Sequence, residues 1–228
     1  MCFVAQRSVL GPHLFIFYTA NLADEVKQHQ VNMHTYADDT QLYLHCCLND
    51  TAAAVTRLEI CLDDVSHWMA ANRLKLKAEK TELIWAGSRC SAEAQLGSSR
   101  LSVRFGTEVI SASDHVRVLG VTISSDLSLG KHVANVCSSG FYWLHQLRRV
   151  RRSLDTDSIK TLVHAFVVSR VDYCNAVFAG SPRYITDKLQ CVLNAAACLV
   201  TGTRKFDHGL SHLLHGELHW LDVPGCIQ

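Results

Sequence analysis

The 228-residue sequence has no apolar run near the roughly 18 residues of a membrane span, no Cys-x-x-Cys among its ten cysteines, and no internal repeat. The first absence excludes a transmembrane helix. The second argues against a disulfide framework: scattered cysteines with one adjacent pair, Cys46-Cys47, read as reduced intracellular thiols. The third excludes a solenoid or propeller. Net charge is also small, +1, and by itself says nothing about partners. A core is not among the absences. Hydrophobic residues make up 48% of the chain and charged residues 19%, the balance of a globular protein and not of a disordered one.

The N-terminus imitates a secretory leader. An early Arg7, an apolar stretch and small residues at Thr19, Ala20 and Ala23 fit that pattern. Gly11-Pro12-His13 interrupts the stretch, so the expectation is an intracellular protein, in nucleus or cytoplasm, that is not secreted. Charge is unevenly spread. Between Lys131 and Lys205 eleven Lys/Arg stand against four Asp (Asp155, Asp157, Asp172 and Asp187), while the remainder is net acidic. Such asymmetry points to nucleic acid or another anionic surface, with a solvated helical face as the alternative.

Periodicity divides the chain into an α+β part and a helical part. Leu14, Phe15, Tyr18 and Leu22 recur at helical spacing over 12–26, with Pro12 in a tolerated first-turn position. Two short β-prone runs, 31–36 and 40–45, flank Ala37-Asp38-Asp39, which predicts a hairpin with carboxylates at its tip. Val55, Leu58, Leu62, Val65 and Met69 form one apolar helical stripe, which Asp50 or Thr51 can cap. Strand-like runs follow at 74–76, 82–86, 101–105 and 116–123, with a Ser/Gly/Ala-rich loop over 87–99. After Leu129 helical periodicity takes over, near 130–151, 156–178, 183–202 and 207–219.

Two adjacent carboxylates at a hairpin tip repel each other unless a cation relieves them. Mg²⁺ is suited to that, being a hard cation that takes carboxylates together with substrate phosphates. An Asp-rich solvent turn is the plain alternative. The surroundings decide between them. Tyr36-Ala37-Asp38-Asp39-Thr40-Gln41-Leu42-Tyr43 resembles the Tyr/Phe-Ala-Asp-Asp block of jockey-like, LINE-type non-LTR retrotransposon reverse transcriptases. Gln6-Arg7-Ser8-Val9-Leu10-Gly11-Pro12 resembles that family's Pro-Gln-Gly-Ser-Val-Leu-Gly-Pro block. Trp68, Asn72, Leu74-Lys75-Leu76 and Lys80-Thr81-Glu82 resemble its next motif, and Val118-Leu119-Gly120-Val121 with Asp126 the block that closes the palm. Leu218-His219-Trp220-Leu221 is similar to a segment of its C-terminal region. The blocks occur in the family's order from end to end.

The resemblance implies a partial polymerase palm of hairpin, short strands and helices over 1–125, then an all-helical thumb and C-terminal region over 126–228. It implies RNA-directed DNA synthesis from dNTPs on an RNA template/DNA primer duplex, with Mg²⁺ as cofactor. Asp38 becomes the principal metal ligand and Asp39 its weaker neighbour; Tyr36 lines the hairpin near the primer end. Gln6 sits near template and incoming nucleotide. Lys80 sits near the triphosphate, where its charge or proton serves the departing pyrophosphate.

Departures limit what this chain is expected to do alone. Ala5 and Arg7 replace the family's Pro and Gly, and an Arg there blocks nucleotide or template. Lys77 and Asp222 replace an expected Asn and Pro. The family's other catalytic Asp lies upstream of the glutamine block, and none of the five residues before Gln6 is acidic. The fingers are missing, and the family usually continues past Gln228. The expectation is therefore a fragment that is inactive by itself, a non-catalytic nucleic-acid-binding remnant being the alternative and a translated fragment without selected function a third.

Two further clusters stand out. Arg148, Arg149, Arg151 and Arg152 form the densest basic group, expected to contact phosphates of primer–template, against a solvated helix C-terminus. His208, His212, His215 and His219 lie on one face of a possible helix, at a spacing that suits zinc, but without obvious completing ligands; no zinc is expected.

Overall fold

The computed structural model describes residues 9–87 and 101–203, together with Leu218, Trp220 and Val223. The chain divides into two compact units, Met1–Asp114 and His115–Gln228.

In the first unit the apolar spacing over 12–26 gives two helices instead of one, α1 (Leu10–Thr19) and α2 (Leu22–Gln28). Thr19, the last residue of α1, turns its hydroxyl back to the Phe15 carbonyl, 3.0 Å away. Asn21 then starts α2, with Asp24 and Glu25 in the first turn where the helix dipole favours acids. No α1 residue is buried, whereas Leu22 and Val26 of α2 are sealed in. The hairpin strands β1 (Asn32–Tyr36) and β2 (Asp39–Tyr43) follow, then the long α3 (Thr51–Ala71). Leu22, Val26 and Val31 pack on Cys61, Val65 and Met69 of α3, with Met33, Leu42 and Leu44 of the hairpin region closing over them. His29 Nε2 lies 3.0 Å from Asp64 Oδ2 and ties α2 to α3.

Helix α3 ends in a Schellman motif although no glycine is present. Arg73 takes a φ of +56°, its N–H donates to Ala70 O, and Leu74 N–H donates to Met69 O at 2.8 Å. Asn72 adds a side-chain bond to Trp68 O, and Tyr18 donates to the Asn72 carbonyl. The run 74–76 is consequently extended chain leaving a helix cap and not a strand, with Leu74 and Leu76 packed against the core. A short sheet, in the order β3 (Leu83–Ile84), β5 (Glu108–Ser113), β4 (Ser102–Phe105), covers α3. Arg104 N–H donates to Glu59 of α3 at 2.7 Å. Strand β5 has no counterpart among the strand-like runs of the sequence. Its signal is Gly106, at φ +59°, in the two-residue turn that sets Phe105 opposite Glu108.

The second unit opens with a hairpin where the sequence suggested one strand over 116–123. Strands β6 (His115–Val118) and β7 (Val121–Ser124) are joined by Leu119-Gly120, at φ +46° and +86°, the pair of positive angles of a type I′ turn. Tyr173 holds this turn. Its hydroxyl donates to Leu119 O at 2.7 Å, and a Cβ on Gly120 would stand 3.2 Å from its ring.

Helices α4 (Gly130–Val150), α5 (Thr156–Val163), α6 (Ser169–Asp172) and α7 (Arg183–Thr201) form the body of this unit. The predicted helix over 156–178 is broken: a π turn at His164–Val168 separates α5 from α6, and Cys174 at φ +54° precedes a 3₁₀ turn. Val133, Ile159, Val163, Val167, Leu189 and Val192 are fully buried in one cluster that also takes Leu218, Trp220 and Val223. Gly140 permits the close approach of α4 to α7, since a Cβ there would fall 2.7 Å from Val192 Cγ1. His132 is buried between Phe178, which it stacks, and the Thr122 N–H, which its Nδ1 accepts at 3.4 Å. Burial, and then the Arg117 charge, hold its pKa below the usual 6.5. The histidine face at 208–219 lies outside the described residues. The seven described cysteines are all free.

Arg151 stands apart from its neighbours. Its guanidinium donates to Leu199 O (3.1 Å), Val200 O (3.2 Å) and Leu154 O (3.1 Å), so it caps the C-terminus of α7. Replacing Arg151 by Ala is expected to destabilise the chain by about 2 kcal/mol, because charged hydrogen bonds to half-buried carbonyls are lost together. Arg148→Ala and Arg149→Ala, at exposed positions, are expected to stay within about 0.5 kcal/mol. Urea midpoints compare the three; equal midpoints would show that the cap contributes nothing.

Candidate active site and nucleic-acid interface

The hairpin register fixes what surrounds the two carboxylates. Tyr36 pairs with Asp39, Thr35 with Thr40, His34 with Gln41 and Met33 with Leu42. Because side chains alternate across a strand, Met33 and Leu42 fall on the core side. His34, Tyr36, Asp39, Gln41 and Tyr43 share the opposite face. Asp38 occupies the turn itself, both carboxylates are exposed, and Tyr36 is 69% exposed. The apolar face thus anchors the hairpin and leaves its tip to solvent.

The turn is strained at one residue. Ala37 has a φ of +53°, the sign that a type II′ turn requires at its first central position and that glycine adopts most easily. A left-handed alanine costs about 1–2 kcal/mol, partly offset by the smaller entropy it loses on folding than glycine would. Ala37→Gly is therefore expected to stabilise the chain by roughly 0.5–1 kcal/mol, read as a higher denaturant midpoint. A lower midpoint would mean that the alanine methyl makes a compensating contact.

The same face carries a pair that the sequence motifs did not single out. The Tyr43 hydroxyl lies 3.0 Å from His34 Nε2, and the two rings stack with centroids 5.3 Å apart. The signal was available: an antiparallel register with His34 opposite Gln41 puts Tyr43 on the adjacent diagonal. Lys80 ends the 3₁₀ turn Ala78–Lys80 ahead of β3 and is exposed. Among the described residues no hydrogen bond or ion pair joins Lys80 to Asp38 or Asp39. Gln6 and Arg7 lie outside the described residues.

Of the basic cluster, Arg148 and Arg149 project from the last turn of α4 and Arg152 from the 3₁₀ turn Arg151–Ser153; all three are exposed. Among the described residues none of the three has an ion-pair partner. The described residues also contain no group of three or more His, Cys, Asp or Glu able to hold a metal ion. Nor do they include a helix long and apolar enough to cross a membrane.

Residues 2–123, which include the hairpin with its paired carboxylates, match the family described as reverse transcriptase (RNA-dependent DNA polymerase). The chain belongs to the reverse transcriptase family. It is also similar, at 24% identity over 234 residues, to a probable RNA-directed DNA polymerase from transposon BS of Drosophila melanogaster. That likeness covers 99% of this chain and 25% of the relative, so the chain spans about a quarter of the relative's length. No solved structure matches the chain. Both likenesses agree with the non-LTR retrotransposon type of reverse transcriptase, and the α+β part followed by helices agrees with a partial polymerase domain. Reverse transcriptases use divalent metal ions and act on a nucleic-acid template and primer.

Proposed function

We propose that this chain is the segment of an RNA-directed DNA polymerase that contributes Asp38 and Asp39, and that it does not polymerise DNA by itself. The observation that supports this most is the tight hairpin that presents two adjacent, exposed carboxylates beside Tyr36. Two adjacent hard oxygen donors suit Mg²⁺, which needs only one or two carboxylates and takes its other ligands from water and phosphate. Asp38 is the principal ligand and Asp39 the weaker one. The ion supplies Lewis-acid stabilisation of phosphoryl charge when bound.

The chain's own residues take the remaining roles. Tyr36, beside Asp39, lines the primer end, and Gln6 the template and incoming dNTP. Lys80 offers charge or a proton to the departing pyrophosphate. Arg148, Arg149 and Arg152 bind phosphates of the RNA template/DNA primer duplex, with Arg151 adding its charge while its N–H groups hold α7. An intracellular place of work accords with those partners. Mn²⁺, a paramagnetic stand-in for Mg²⁺, is expected to broaden the amide NMR signals around the hairpin tip and to leave those of an Asp38→Asn, Asp39→Asn variant sharp. Equal broadening in both proteins would remove the hairpin as a metal site.

A second reading, a nucleic-acid-binding remnant without catalysis, draws on the exposed arginines at the end of α4. It predicts salt-dependent binding that survives loss of both carboxylates.

A further inference from the structure

The outward face of α4 carries large aromatic rings as well as arginines. Val133, Gly140, Leu144 and Leu147 mark its buried side. Tyr142 (58% exposed), His145 and Arg149 are turned away from them, and Phe141 (46% exposed) and Arg148 flank them at exposed positions. Phe141, His145 and Arg148 follow at steps of four and three, which places them along one stripe, with Tyr142 and Arg149 alongside. The adjacent Trp143 behaves differently, stacking on Phe166 with centroids 4.5 Å apart. Phe141 makes no ring contact among the described residues, and Tyr142 meets Trp143 only edge-on at 5.5 Å. No Asp or Glu occurs anywhere on α4.

Exposed ring faces beside cations, on a helix free of anions, suit one chemistry: unpaired nucleobases followed by their phosphates. A duplex offers such a surface its phosphates and groove edges only, because its base faces are already stacked. An apolar protein partner would gain nothing from the arginines and would leave them desolvated. We propose that this face of α4 binds single-stranded nucleic acid, with bases stacked on Phe141 and Tyr142 and phosphates on Arg148 and Arg149. The inference rests on the nucleic-acid part of the proposed function and adds which strand state is recognised and by which rings.

The test uses the full chain and two labelled probes of equal length, oligothymidylate and a DNA duplex, at one salt concentration. Phe141→Ala with Tyr142→Ala is expected to weaken oligothymidylate binding by about tenfold or more and to leave duplex binding unchanged. Phe141→Tyr with Tyr142→Phe keeps the ring faces and is expected to restore single-strand binding. Arg148→Ala with Arg149→Ala weakens both probes. Circular dichroism confirms that each variant is folded; should the double alanine variant fail to fold, Phe141→Ala alone carries the comparison. Equal losses on both probes, or none on oligothymidylate, overturn the proposal. A parent chain that binds the duplex but not oligothymidylate overturns it alone, whereas one that binds neither probe overturns the nucleic-acid reading beneath it as well.

Discussion

Given a primer annealed to an RNA template, dNTPs and Mg²⁺, the 228-residue polypeptide is expected to extend no primer beyond the background set by its Asp38→Asn, Asp39→Asn variant. Two-metal phosphoryl transfer clamps the attacking and leaving oxygens between ions held from more than one side. On the proposed reading the hairpin provides one side. Asp24 and Glu25, the acids that precede it in the chain, sit on α2, where Asp24 pairs with Lys27 at 3.8 Å and Glu25 accepts from Gln28 at 3.5 Å. Among the described residues neither joins Asp38 and Asp39 in a group of three. With no opposing carboxylate among the described residues, positioning and charge stabilisation fall together, a deficit on the order of 10³-fold or more. Clear extension by the parent chain, abolished in the variant, would refute this. It would mean that an acid of this chain reaches the tip during turnover.

How far the sequence revealed these features depended on whether a signal was local. The hairpin was legible because alternation on both sides of Ala37-Asp38-Asp39 demanded a turn there, and the observed register leaves Ala37-Asp38 as its two central residues. The strain at Ala37 was not legible, since nothing in its identity announces a positive φ. The helical half was read nearly to its boundaries at α4 and α7, where one apolar stripe runs the whole length. It failed over 156–178. There the stripe continues through Phe166, Val167 and Val168, while the backbone inserts a π turn and reverses at Cys174. Periodicity reports which face is buried, not whether the hydrogen-bond ladder is unbroken. The same limit explains the missed turn at Leu119-Gly120: an apolar run of the right length hid a glycine in a turn held by Tyr173, 54 residues after Leu119. Arg151 shows the limit for sites. Its neighbours Arg148, Arg149 and Arg152 look identical to it in sequence, yet only Arg151 is bonded to the carbonyls that end α7, far along the chain.

That difference shapes the second large effect. Arg148→Ala, Arg149→Ala, Arg152→Ala is expected to lower affinity for a primer–template duplex at low salt by at least about tenfold. It should also flatten the dependence of log K on log salt by about 0.9 units for each phosphate that is no longer neutralised on duplex DNA, or about 0.7 on a single strand. Arg151 is left in place because its removal weakens the end of α7, and a folding defect would imitate weaker binding. The slope separates the causes. Fewer neutralised phosphates release fewer counterions and flatten it, whereas partial unfolding lowers the fraction of competent protein and leaves the slope of the remainder unchanged. An unchanged slope with unchanged affinity would show that these arginines face solvent and that the positive charge of the helical half serves another surface. An unchanged slope with reduced affinity would point to the fold. Only a flattened slope in a variant with the parent's urea midpoint supports a phosphate grip at the end of α4. It would do so whether or not the carboxylate hairpin binds a metal.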